Sequence, residues 1–195
     1  MMCALSTGLG NSRGLMSAAL ACLFFTSSSA ADSQTLQLRQ VKAAFVLNIA
    51  KFVTWPKLEG QSSPEQLLLC YYQTDSLGAA FETIRNKTVN GRHLKKVTVE
   101  NLSASTMCDI LLIPTGALVN LSGEAVQKGV RPVLTIADMT HLDTAEAYFK
   151  GALINLVRQG KRIGFAVDVA ETKKAGLKVS SELLKLATIV DSGAS

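Results

Sequence analysis

Gln66-Leu67-Leu68-Leu69-Cys70-Tyr71-Tyr72 is apolar at nearly every position, with no alternation of apolar and polar side chains. A short continuous run of this kind predicts a strand covered on both faces, the usual situation in a parallel sheet with helices packed above and below. Two similar runs follow, Asp109 to Ile113 and Pro132 to Ile136. Between them lie segments with helical patterning, 77–85 and Gly123 to Lys128, and Asn90-Gly91 supplies a turn before a strand from Leu94 to Val99. Strand and helix therefore alternate. That order predicts one layered α/β domain, a mixed sheet flanked by helices.

Upstream, Leu38, Val41, Phe45, Ile49 and Phe52 recur at intervals of three and four between Leu36 and Trp55. They predict a helix that buries Phe45, Ile49 and Phe52 against the sheet and stops at Pro56. Downstream, Ala152 to Val157 and Arg162 to Val167 predict a C-terminal β-hairpin joined by Arg158-Gln159-Gly160-Lys161. Two helices should follow. Asp168 with Glu171 forms a capping-box pattern, Gly176 suits the left-handed closing position, and Ser180 or Ser181 starts the last helix, with Leu183, Leu184 and Leu186 available to the core. Asp191 to Ser195 reads as a frayed tail.

Arg13 precedes an apolar run from Leu15 to Phe25, and small residues follow from Ser27 to Ala31. This is the layout of a cleaved secretory signal peptide over 1–31, which leaves a domain over 32–190. A membrane anchor would need about twenty apolar residues, roughly twice this run. Lipidation at Cys22 is opposed by Leu20, which occupies a small-residue position, and by the apolar Leu23-Phe24-Phe25 beyond the cysteine. Cleavage removes Cys3 and Cys22 and leaves Cys70 and Cys108. In an oxidising compartment such a pair predicts a disulfide, the competing reading being two buried thiols. The formal charge of +5 falls to +4 with the loss of Arg13. Its basic residues are scattered with few interleaved aromatics, which argues against nucleic acid as a partner.

Catalytic patterns are scarce. His93 and His141 stand apart from any second ligand, so neither predicts a metal site, and no Gly-x-Ser-x-Gly elbow is present. Pro114-Thr115-Gly116 lacks the glycine and lysine pattern of a phosphate loop and reads as a turn. Three glycosylation-type triplets, beginning at Asn86, Asn101 and Asn120, are too short a pattern to carry an argument. What remains is topological. Ligands of open α/β sheets sit at the carboxyl ends of parallel strands, and those ends here carry Thr74, Asp75, Thr115 and Asp138. Turns also prefer these residue types for local reasons, which is the competing reading.

The stretch Val41-Lys42-Ala43-Ala44-Phe45-Val46-Leu47-Asn48-Ile49-Ala50-Lys51-Phe52-Val53-Thr54-Trp55-Pro56 resembles the opening helix of the YfiR family. Cys70, the run Met107 to Ile113, Val133 to Asp138, Phe149, Gly151 to Val157 and Ala175 to Ala187 follow that family's order. The resemblance implies a periplasmic, non-enzymatic regulator that restrains an inner-membrane diguanylate cyclase by gripping its periplasmic sensor portion, so lowering cyclic di-GMP and biofilm growth. It also implies homodimers, redox sensing through disulfides and a small-molecule ligand, and it names no cofactor. This chain departs from the family in lacking a second cysteine pair near the C terminus, in Lys150-Gly151 for the usual Gly-Gly, and in Gly164 and Ala166 where charged residues are common. Arg158, Lys161 and Arg162 are expected as rim charges of a partner surface, or else as a solvated turn. The alternative function is a periplasmic small-molecule-binding module without a cyclase partner. A secreted enzyme is disfavoured by the missing cluster of titratable groups.

Overall fold

The computed structural model describes residues 28–56, 65–118, 121, 132–142 and 148–190. Helix α1 (Ser28–Lys51) leads into a two-residue strand β1 (Val53–Thr54). The main strands are β2 (Gln66–Tyr72), β3 (Thr88–Val89), β4 (Arg92–Val99), β5 (Ile110–Ile113), β6 (Leu134–Asp138), β7 (Ile154–Gln159), β8 (Arg162–Asp168) and β10 (Thr188–Val190). Their spatial order is β10-β8-β7-β6-β5-β2-β4-β3. From β4 through β2, β5 and β6 to β7 the pairs are parallel, and the β3-β4 and β7-β8 pairs are antiparallel. A single layered α/β domain with a mixed sheet results, as expected.

The sheet is covered on both sides, which explains the continuous apolar runs. Leu67, Leu69 and Tyr71 of β2 join Ile110, Leu112, Leu134, Ile136, Leu156 and Phe165 under α1 and a 3-10 helix at Gly78–Thr83. On the opposite face, Cys70 and Tyr72 join Leu111, Ile113, Ala137 and Val157 beneath a 3-10 helix at Ser103–Met107 and the short α2 (Thr115–Leu118). The Cys70–Cys108 disulfide lies in this second cluster, with Cα atoms 5.9 Å apart.

Helix α1 is present but turned from the expected face. Ala43, Val46, Ile49 and Ala50 are buried, Phe45 is half-buried edge-on to Phe165 at 6.0 Å, and Phe52 and Val41 are exposed. Small alanines let the helix axis approach the sheet, so the closest face is the one with Ala43 and Ala50 and not the one with the large side chains. The helix also ends at Lys51, ahead of Pro56. β-branched Val53 and Thr54 instead pair antiparallel with β9 (Lys178–Val179), and Ser180 N–H donates to the Phe52 carbonyl at 2.9 Å.

The C-terminal third matches the expected hairpin and two helices. Gly160 at φ +62° forms the β7-β8 turn. Asp168 accepts the Glu171 N–H at 2.9 Å at the start of α3 (Val169–Lys174). Gly176 at φ +74° closes α3: its N–H donates to Lys173 O and that of Leu177 to Thr172 O, the paired bonds of a Schellman cap. Ser180 caps α4 (Ser181–Leu184) by accepting from Leu183 N–H at 3.2 Å. Leu183 is buried, but Leu186 is exposed, because the chain leaves the helix there to add β10 to the sheet edge. The expected helix around Gly123 to Lys128, the leader over 1–27 and the tail lie outside the described residues.

Candidate functional site

The order β4-β2-β5-β6 means that the chain leaves β2 toward one edge and then returns across it to build toward the other. Loops leaving β2 and β5 therefore diverge, and a crevice opens between them at the carboxyl ends of the strands. Gln73, at φ +61°, bends the chain directly after β2 and carries Thr74, Asp75 and Ser76 over the strand ends. A non-glycine residue held in this region costs about 1 kcal/mol or more, so the surrounding structure must hold it there. Pro114, Thr115 and Gly116 form the facing wall after β5. Thr35, Leu38 and Arg39 of α1 supply the roof. The enclosed volume is about 250 Å³.

The floor is a buried ion pair. Lys42 Nζ donates to Asp138 Oδ2 at 2.7 Å, with the two side chains 3% and 2% exposed. Burial of two charges at this level demands that their remaining hydrogen-bond capacity be filled. Asp138 Oδ1 accepts from Thr140 N–H at 3.1 Å and from Thr140 Oγ1 at 2.6 Å. Lys42 Nζ lies 3.3 Å from His141 Nε2, so a neutral His141 ring carries its proton on Nδ1. Thr115 Oγ1 donates to the Asp138 backbone carbonyl and ties the β5 loop to the end of β6.

Asp75 forms a second pair at the rim, accepting from Lys96 Nζ at 2.9 Å. Its other oxygen accepts Leu77 N–H at 3.1 Å and Gly78 N–H at 2.8 Å. Partial burial pushes this carboxyl up, but the Lys96 hydrogen bond, the two backbone donors and the Lys96 charge together hold it below the usual aspartate range. Burial, with the Asp75 charge adding to it, pushes the neighbouring Tyr71 phenol far above its usual value.

The four residues expected at the strand ends, Thr74, Asp75, Thr115 and Asp138, thus converge on one crevice. Arg158, Lys161 and Arg162 lie at the same end of the sheet, because β7 runs parallel to β6 and its end passes Asp138. Arg158 is half-buried and donates from Nε to the Thr140 carbonyl at 3.1 Å, whereas Lys161 and Arg162 are exposed on the hairpin. Cys70 and Cys108 are apart from the crevice, on the face away from α1.

Residues 39–188 match the model of a family described as YfiR/HmsC-like. The chain belongs to the YfiR/HmsC-like family. No curated protein matches it significantly. Among solved structures it is similar to a conserved domain protein from Vibrio cholerae O1 biovar El Tor strain N16961, at TM-score 0.47 and 8% identity. The match takes in 77% of this chain and 59% of that one, so this YfiR/HmsC-like chain spans less than two thirds of that protein's length.

Sequence reasoning missed the α1 side of the crevice. Lys42 stands in the stretch that carries the family resemblance, but a lysine within an apolar stripe signals burial only when its counter-charge is known. Arg39 and Ser76 carried no signal of their own. His141, read as a surface histidine, is exposed and still contacts the buried lysine. Among the described residues, no three His, Cys, Asp or Glu side chains group to hold a metal ion, and no helix is long and apolar enough to cross a membrane.

Proposed function

We propose that this protein is an exported, periplasmic regulator that binds the periplasmic sensor portion of an inner-membrane diguanylate cyclase and represses it, lowering cyclic di-GMP and biofilm formation. The observation that carries this reading is membership of the YfiR/HmsC-like family over nearly the whole domain. The leader-like N terminus and the Cys70–Cys108 disulfide are in keeping with an oxidising compartment. A non-catalytic role accords with the site chemistry, since its carboxylates Asp75 and Asp138 are each engaged by a lysine. The exposed Lys161 and Arg162 at the hairpin tip are proposed as rim charges that steer association with the cyclase.

The test is deletion of the gene in its native host, followed by extraction and quantification of cyclic di-GMP. The expected result is a rise in cyclic di-GMP and in surface attachment that the wild-type gene reverses. Lys161→Glu with Arg162→Glu should slow association with the isolated sensor domain and change its salt dependence. A deletion strain with wild-type cyclic di-GMP would overturn the reading. The second reading, a small-molecule-binding module without a cyclase partner, is favoured by one specific observation, the crevice between Thr74–Ser76 and Pro114–Gly116.

A further inference from the structure

We infer that the crevice at the β2/β5 divergence binds a small organic monocarboxylate, clamped between Arg39, Lys42 and Ser76. Three donor-bearing side chains line the cavity with hydrogen-bond capacity left over among the described residues. Ser76 lines the cavity, and its buried Oγ has no hydrogen-bond partner among the described residues, an arrangement that is costly if nothing fills it. Lys42 Nζ uses two of its three directions, on Asp138 and His141. Arg39 lines the cavity with no carboxylate partner of its own. The chain also makes room for this guanidinium: a Cβ at Gly78 would stand 2.7 Å from Arg39 Nη1, and Gly78 sits at φ +53° where glycine is favoured.

Charge counting selects the class of ligand. Among the described residues, the acids lining the crevice are Asp75 and Asp138, and Lys96 and Lys42 balance them one for one. Arg39 then remains as one uncompensated positive charge. A planar guanidinium fork is matched by a carboxylate, and one excess charge suits a monoanion better than a doubly charged phosphate. The volume of about 250 Å³ lies below the range of pockets for drug-sized ligands. Leu38 and Pro114 offer an apolar wall for a short carbon body. The inference does not rest on the proposed cyclase contact.

The test is amide chemical-shift titration of the purified protein with sodium acetate, butyrate and lactate, against chloride and inorganic phosphate at equal ionic strength. The expected result is saturable shifts confined to Thr74–Gly78 and Gly116, with at least one carboxylate tighter than phosphate. Arg39→Ala should weaken binding at least tenfold and Ser76→Ala about fivefold, with the remaining spectrum unchanged. Arg39 is exposed at the residue level, so its replacement leaves the fold intact. Tighter binding of phosphate, shifts that merely follow ionic strength, or an affinity that Arg39→Ala leaves unchanged would each overturn the inference. All are read on the isolated protein, so that failure is separable from failure of the regulator reading.

Discussion

Replacing Lys42 by Met removes one half of the buried pair and leaves the Asp138 carboxylate 2% exposed, held only by the two donors of Thr140. At 2.7 Å the attraction lost is about 6 kcal/mol for an effective dielectric near 20. Desolvation of both ions, several kcal/mol apiece, already offsets much of that attraction in the wild type. The net effect is the cost of an unpaired buried charge, and Lys42→Met should therefore destabilise by about 3–5 kcal/mol. Asp138→Asn keeps an acceptor for Thr140 but strands the ammonium, and should cost about 3 kcal/mol. In the double variant neither charge is left behind. Its cost should fall short of the sum of the singles by about 2–3 kcal/mol, the signature of direct coupling. Urea unfolding of all four proteins, followed by the fluorescence of the single tryptophan, Trp55, measures the cycle. If the two substitutions add to within about 0.5 kcal/mol, the pair is not the coupled, dry contact described above.

The disulfide closes a loop of 38 residues, which on the chain-entropy model contributes about 4 kcal/mol. The double variant Cys70→Ala with Cys108→Ala should consequently lower Tm by roughly 8–16 °C by calorimetry for a domain of this size, and non-reduced digests of the wild type should contain the linked peptide. Asp75 is held below its usual range in the folded state, so its contribution is complete above the ordinary aspartate value of about 3.9 and is lost as pH falls through the folded value. The stability gap between the wild type and Asp75→Asn should be constant from about pH 7 to 5 and shrink below about pH 4. A gap of the same size at every pH would show that the carboxylate's charge is not what stabilises that loop.

Much of the fold was legible because both sheet faces are covered. Continuous runs such as Gln66–Tyr72 and Ile110–Ile113 carry that signal without any knowledge of their neighbours. The turn at Asn90-Gly91 and the caps at Asp168, Gly176 and Ser180 were equally readable, since each satisfies backbone groups within a few residues. Strands of two or three residues, β1, β3, β9 and β10, have no periodicity to read and exist only through their partners. The seating of α1 was misread for a related reason. Apolar residues occur nearly all round its second half, so spacing identifies a helix but not the side that approaches the sheet. Half of the candidate site followed from the rule that parallel strands end at ligands, which located Thr74, Asp75, Thr115 and Asp138. The other half depends on a contact across 96 residues, from Lys42 to Asp138, and no local pattern encodes it.

The two-residue pairing of β1 with β9 sets an order of events in time. Val53 pairs with Val179 and Thr54 with Lys178, so the C-terminal end of the first helix is fastened by residues from the last third of the domain. Contacts between such distant parts of a chain must first close a large loop, and they slow folding relative to local contacts. Until the final third arrives, α1 has neither its lower clasp nor the Phe165 ring that Phe45 packs against. The opening helix is thus held by two sets of contacts, its buried pair with Asp138 and its packing on the 3-10 helix on one side and the β1-β9 clasp on the other, and a chain stopped short of Lys178 would keep the first set and lose the clasp.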